Sequence, residues 1–284
     1  MRALSYPTAT AFLDAVRPVL AEHEAEHHLV LGVAEAFAAD PRAGGRLFAA
    51  TVEADDGLAL AAWMVGPRPL LLASDRDDVS PAADALADLL GERGLDPRRV
   101  IGTVGQVERF IEAWSRHTTQ SARVAMRQRS YRLDAVESLP AVSGCLRGAV
   151  SSDLELVASW IHAFEEEALG ALSTPTPSAA RAVAEHRIAA GEIHLWCDPD
   201  PRTMAGSARP TSHGVAVNAV YTPPEWRRRG YATACVAELS RRLLGSGFQF
   251  CVLYTDLSNP TSNAIYTRIG YRPVRDFLMY ELDT

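Results

Sequence analysis

One stretch of the chain combines residue types and spacing suited to holding a phosphate. It runs Val220-Tyr221-Thr222-Pro223-Pro224-Glu225-Trp226-Arg227-Arg228-Arg229-Gly230-Tyr231-Ala232-Thr233. A β-patterned run ends at Thr222, and the two prolines stop its ladder. The next helix carries an apolar stripe of Ala232, Cys235, Val236, Leu239 and Leu243, and Gly245 ends it. A tight turn feeding a helix N-terminus presents unpaired N–H groups at the positive end of the helix dipole, so a pyrophosphate is its natural guest. Gly230 permits close backbone approach and an unusual φ, and Ala232 is small enough for the same purpose. Arg227, Arg228 and Arg229 add charge for phosphates. Alone, R-x-x-G-x-A equally describes a basic surface turn. The order strand, stop, loop, amphipathic helix narrows it.

A second element is Thr255-Asp256-Leu257-Ser258-Asn259-Pro260, leading into a short helix over 261–269 that Gly270 ends. Asn259 and Asn263 are one turn apart and share a face. Tyr266 lies on the same helix, where a packed core tyrosine is the plain alternative to a chemical role. A phenol of pKa near 10 stays protonated at neutral pH and donates to a departing thiolate.

These two elements resemble the GNAT superfamily of acetyltransferases. Arg227, Gly230 and Ala232 match its [QR]-x-x-G-x-[GA] loop. Asn259, Ser262, Tyr266, Gly270 and Tyr271 match its N-x-x-[AS]-x-x-x-Y…G-[FY] segment. The resemblance implies acetyl-CoA as cosubstrate and a primary amine of a small molecule as acceptor. It implies that the pantetheine arm lies along Val220, Tyr221 and Thr222, with the pyrophosphate on Arg227, Arg228, Arg229, Gly230, Tyr231, Ala232 and Thr233. Asn259 and Asn263 then face the coenzyme, and Tyr266 stands near its sulfur as general acid. The backbone N–H of Tyr221 is a candidate oxyanion donor. One departure is plain: the strand Val215–Val220 has no carboxylate to act as base. A water chain, His213, or a carboxylate among Glu165, Glu166 and Glu167 remain open.

The elements that must position these residues follow from the rest of the pattern. The chain has 284 residues, enough for two domains. Residues 8–39 read as two helices, and a hairpin turns at Asp55-Asp56-Gly57. An apolar run over 69–74 follows, then a helix opening at Ser80-Pro81, a strand at Arg99–Val104, a helix from Gly105 and an alternating strand at 122–133. The polar segment 134–144 separates this from a second series of the same order, with Ser151 or Ser152 and later Ser178 as helix caps and a loop over 173–177. The expected fold is thus α/β: two tandem GNAT-like lobes, each a mixed, mostly antiparallel sheet flanked by helices. Residues 1–136 form the first lobe, a degenerate copy, and 145–284 the acetyl-CoA-binding one. The first lobe puts Asp75, Asp77 and Asp78 where phosphates need bases, so one cofactor site per chain is expected, with the first lobe shaping the amine pocket or a packing interface.

Composition excludes other classes. A net charge of −7 argues against nucleic acid or an anionic membrane. No apolar run is long enough to span a bilayer, and the N-terminus lacks signal-peptide features, so a cytoplasmic protein is expected. All 28 basic residues are Arg, so no lysine side chain is available for self-acetylation. The four cysteines, Cys145, Cys197, Cys235 and Cys251, have no metal spacing and read as reduced thiols. A homodimer is compatible with the sequence. Two rival readings exist. His23, Glu24 and His27 formally match the H-E-x-x-H zinc-peptidase signature, although no downstream ligand pattern supports it. A non-enzymatic acyl-CoA-binding module needs the phosphate loop but not Tyr266.

Overall fold

The computed structural model describes residues 1–40, 45–170 and 176–283. Both halves run through the same order of elements. The first comprises β1 (Arg2–Ser5), α1 (Ala9–Leu20), α2 (Glu24–Ala39), β2 (Leu47–Ala54), β3 (Gly57–Val65), β4 (Leu70–Ala73), α3 (Ser80–Glu92), β5 (Arg99–Thr103), α4 (Val104–Trp114) and β6 (Ser121–Leu133). The second comprises β7 (Cys145–Gly148), α5 (Leu154–Leu169), α6 (Pro177–Ala189), β8 (Ile193–Cys197), β9 (Pro201–Ala208), β10 (Gly214–Tyr221), α7 (Tyr231–Gly245), β11 (Phe250–Asp256), α8 (Pro260–Ile269) and β12 (Arg272–Asp283). Only β1 had no counterpart in the sequence reading, because four residues are too few to show a period.

The strands form one continuous twelve-stranded sheet, ordered β1-β2-β3-β4-β5-β12-β6-β11-β10-β9-β8-β7. Neighbours are antiparallel except β4–β5 and β10–β11. The last strand of each half has changed sides. β12 lies between β5 and β6, and β6 pairs with β11 from Cys251↔Leu133 to Asp256↔Gln128. The two long exchanged strands pair with each other at the centre, so the tandem lobes share one sheet rather than closing two.

Helices cover both faces. Around the first half, α3 and α4 pack on one face through Leu86, Leu90, Val107 and Phe110, and α1 and α2 on the other through Phe12, Val16 and Leu31 against Trp63. Around the second, α7 and α8 cover one face with Cys235, Val236, Tyr266 and Tyr271. Helices α5 and α6 cover the other with Val157, Ile161 and Ala184. Helix α2 also reaches the second half: Ala25 packs with Ala216, Phe250 and Val252.

Two caps differ from expectation. The Thr176 hydroxyl, not Ser178, caps α6 by accepting from the Ala179 N–H at 3.2 Å. Before α5, the Asp153 carboxylate rather than a serine closes the turn, accepting from Val150 N–H at 2.8 Å and from Arg147 at 2.6 Å. A carboxylate outcompetes a hydroxyl here because it takes both a backbone and a charged donor. Positions 173–175 of the expected loop lie outside the described residues.

Candidate active site

The parallel pair β10–β11 is joined only at Gly214↔Phe250, Val215↔Cys251 and Ala216↔Val252. Both strands continue beyond that point, β10 to Tyr221 and β11 to Asp256, each bonded to its other neighbour. They therefore splay apart and leave a V-shaped gap with unpaired edges on both sides. The local cause is a bulge in β10. Ala219 has φ 48°, and the register to β9 shifts between Asn218 and Tyr221. Buried Thr203 anchors the far end, donating to the Tyr221 carbonyl at 2.7 Å and meeting the Thr222 hydroxyl at 2.8 Å. Val220, Tyr221 and Thr222 thus edge the gap.

The loop after β10 turns at the top of this gap. Arg228 has φ 62° and Gly230 φ 84°, two left-handed residues just before α7. Gly230 is the N-cap and offers no side chain to the first turn of the helix. None of the backbone N–H groups from Arg228 to Thr233 donates to another described residue. This is a nest of outward N–H groups on a helix N-terminus, ready for an anion. A side chain at Gly230 would be strained by its φ, and a Cβ would stand 3.1 Å from the Val142 Cγ2.

The arginines divide their roles. Arg227 turns back along the strand, its Nε donating to the Thr222 carbonyl at 2.8 Å and its Nη2 reaching both carboxylate oxygens of Glu167 on α5 at 2.7 and 2.8 Å. Its side chain is a brace between loop and helix. Arg229 lies over the Trp226 ring at 4.8 Å, and Arg202 from β9 over the same ring at 3.8 Å. This cationic stack was not legible in sequence because Arg202 comes from another strand. Nor was Asp198, which accepts from the Tyr231 hydroxyl at 2.8 Å and from Ser143 at 2.5 Å and so ties α7 to the inter-lobe segment. Those two hydrogen bonds hold its carboxyl below the usual range.

Helix α8 closes the other edge. The Asn259 side chain caps it, accepting from Ser262 N–H at 3.1 Å. Asn263 is fully engaged: its amide donates to the Asp256 and Asn259 carbonyls at 3.1 and 2.8 Å, and its oxygen accepts from the Tyr131 hydroxyl at 2.9 Å. Both asparagines therefore shape the helix that faces the gap. Tyr266 is buried against Tyr271, ring centroids 6.0 Å apart, and among the described residues its hydroxyl has no hydrogen-bond partner. Burial pushes its phenol up to about 12, so it is protonated at neutral pH.

The base candidates separate. His213 precedes β10, at the paired end, and is clamped to Glu24 of α2 (Nδ1 to carboxylate 2.7 Å, backbone N–H 2.9 Å). Glu167 is committed to Arg227. Glu165 has no such partner, and burial raises its carboxyl above the usual range. As for the H-E-x-x-H segment, Glu24 points to the second lobe, while His23 and His27 share Asp75 at 3.2 and 2.7 Å. No cluster of metal-ligating side chains occurs among the described residues, and no described helix is long and apolar enough to cross a membrane.

Comparison with known proteins bears on the fold. Residues 200–278, from β9 into β12, match the family model of the FR47-like protein. No curated protein matches the chain. A GCN5-related N-acetyltransferase from Sphaerobacter thermophilus superposes with TM-score 0.62 at 16% identity over 98% of this chain and 94% of that one. A GNAT-family acetyltransferase from Colwellia psychrerythraea gives 0.57 at 10% identity, covering 100% of both. A tandem GNAT protein from the clavulanic acid biosynthesis pathway gives 0.55 at 11% identity over 98% and 97%.

Proposed function

Taking the chain as a tandem acyltransferase of the GNAT superfamily, we propose that it moves an acetyl group from acetyl-CoA to a primary amine of a small molecule, at one site per chain. The observation that carries this is the conjunction at β10–β11: a parallel pair that unzips after Ala216↔Val252, leading into an N–H nest at Arg228–Thr233. An extended pantetheine pairs with the free edge of Val220–Thr222, and its pyrophosphate sits on the nest with Arg228 and Arg229 beside it.

Holding donor and acceptor together in the gap supplies much of the rate. The amine lone pair attacks the thioester carbonyl, the new C–N bond forms, and the C–S bond breaks. The departing sulfur takes a proton from the Tyr266 hydroxyl, which has no competing partner among the described residues. The amine's surplus proton leaves through water or Glu165, whose carboxyl burial has moved in the direction of a neutral-pH base. Tyr266 also weighs against a purely binding module, which needs no acid.

Calorimetric titration of acetyl-CoA into the purified chain tests the reading. One site of micromolar affinity, abolished when Arg229 and Gly230 are both replaced, is expected. Absence of binding sinks it.

A further inference from the structure

At the outer end of the sheet, away from the cofactor gap, two cysteines face each other across neighbouring strands. The edge strand β7 pairs only with β8, and its register sets Cys145 directly opposite Cys197. Residues directly opposite in an antiparallel pair point to the same face. The packing shows which face. Leu146 and Trp196 enter the core beneath α7, whereas Cys197 enters the one beneath α5 and α6, so Cys145 and Cys197 share that second face.

The register is pinned around the pair. The Trp196 Nε1 donates to the Ser143 carbonyl at 2.9 Å, and the Ser143 hydroxyl donates to Asp198 at 2.5 Å. Gly144, at φ 106°, lies so close that a Cβ would run into the Cys197 carbonyl. At the other end of β7, the Ala149 N–H donates to the opposed Ile193 carbonyl at 2.9 Å. Bonded and non-bonded pairs alternate along such a ladder. Cys145 and Cys197 are therefore also a hydrogen-bonded pair, with Cα atoms about 5.5 Å apart. A disulfide spans Cα separations of about 4.4–6.8 Å. Its Cβ atoms lie about 3.5–4.5 Å apart, somewhat closer than those of opposed strand residues. A bridge thus fits with little movement yet carries strain, and strained bridges are the readily reduced ones.

The two thiols also differ as a responsive pair requires. Cys145 is exposed, and Cys197 is buried beside it. An oxidant reaches the first, and the second stands where it can displace the adduct. The remaining thiols are of another kind. Cys235 and Cys251 are buried with α7, and burial pushes both up, Cys251 to about 12. The strand neighbours of Cys251 are Val215 and Leu133, not cysteines.

We propose that Cys145 and Cys197 form a reversible disulfide in response to glutathione disulfide. The Cys145 thiolate attacks one sulfur of glutathione disulfide, and a glutathione thiolate leaves. The Cys197 thiolate then attacks the Cys145 sulfur, and the second glutathione thiolate leaves. Two protein thiols are oxidised, one glutathione disulfide is reduced, and the two protons released end on the two glutathione thiols. The bridge staples the edge strand to its neighbour beside Asp198, whose carboxylate holds the start of α7. None of this depends on the acyl-transfer reading.

The test is peptide mapping of the full chain after treatment with excess glutathione disulfide, with the remaining thiols alkylated. Free thiols should fall from four to two, with one linked peptide joining Cys145 to Cys197, and dithiothreitol should restore all four. Cys197→Ser should stop the sequence halfway, leaving about tenfold more glutathione on Cys145 than the parent carries. Cys145→Ser should leave Cys197 unmodified. Four free thiols in the treated parent, as much glutathione on its Cys145 as in Cys197→Ser, a link through Cys235 or Cys251, or a dimer joined at Cys145 overturns the proposal.

Discussion

The two lobes repeat the same parallel strand pair and helix, yet they treat the space beyond the pair differently. In the second lobe, β10 and β11 part after Ala216↔Val252, and α7 starts from a glycine with no side chain in the way. In the first, β4 and β5 pair at Leu70↔Val100 and Leu71↔Ile101, and the space beyond is filled from within. Buried Gln106 of α4 donates to the Ser74 carbonyl at 2.9 Å and accepts from Thr103 N–H at 3.1 Å, while Leu72 presses on Gly102. At the start of α3 the place for an incoming anion is taken by Asp78, whose carboxylate accepts from the Ser80 N–H and hydroxyl at 2.9 and 2.7 Å. In the first lobe, side chains of the chain itself satisfy the backbone groups at the end of the strand pair and at the start of α3. The lesson is that a repeated fold keeps a site only where the chain leaves its splay and helix end unsatisfied.

The largest effect that could break this contrast lies at the nest. Gly230→Val forces a β-branched residue into φ 84° against Val142, and acetyl-CoA affinity should fall a hundredfold or more by calorimetry. The matching change in the first lobe, Ser80→Val, should leave it untouched. A second cofactor equivalent in the parent protein would mean that the first lobe is not filled after all.

Next comes chemistry. Tyr266→Phe should lower kcat about a hundredfold, with the KM for acetyl-CoA held within about twofold. A thiol-release assay decides, and unchanged turnover removes Tyr266 as the acid.

In the first lobe the effect should be on stability alone. Gln106→Ala strands the Ser74 carbonyl and Thr103 N–H and should cost about 1–3 kcal/mol in urea unfolding, with no change in acetyl-CoA binding. A matching loss of cofactor affinity would show the two splays to be coupled.

The last effect is pH-dependent and concerns the junction of the lobes. Burial holds the His28 imidazole down to about 3. Because its folded pKa is lowered, the unfolded chain takes up the proton first. Stability should therefore be full above about pH 6.5 and decline as pH falls from there towards 3, by up to about 1.4 kcal/mol per unit. His28→Phe should flatten that limb of the stability profile, and an unaltered slope would place the titration elsewhere.

Much was legible without coordinates. The hairpin at Asp55-Asp56-Gly57, the stripe of α7 and the loop Arg227–Thr233 are local signals, written in neighbours a few residues apart. The carboxylates that fill the first lobe's loop were visible as acids in the wrong place, although their capping role was not. The engagement of Asn263 was not legible because an asparagine's hydrogen-bond partners are not local: Tyr131, on β6, donates to its oxygen. His213 looked free for catalysis and is held by Glu24, far away in sequence.

By itself, then, the sequence determined the order of elements, their repetition, the loop Arg227–Thr233 and the tyrosine beyond it. Periodicity, caps and glycine conformations act over a few residues. Tertiary structure alone decided that β6 and β12 exchange partners and that Arg202 and Arg229, from different elements, both lie over the Trp226 ring. Each depends on strands or helices distant in the chain, and their pairing is set by how buried surface and charge balance over the whole sheet, which no window of neighbouring residues contains.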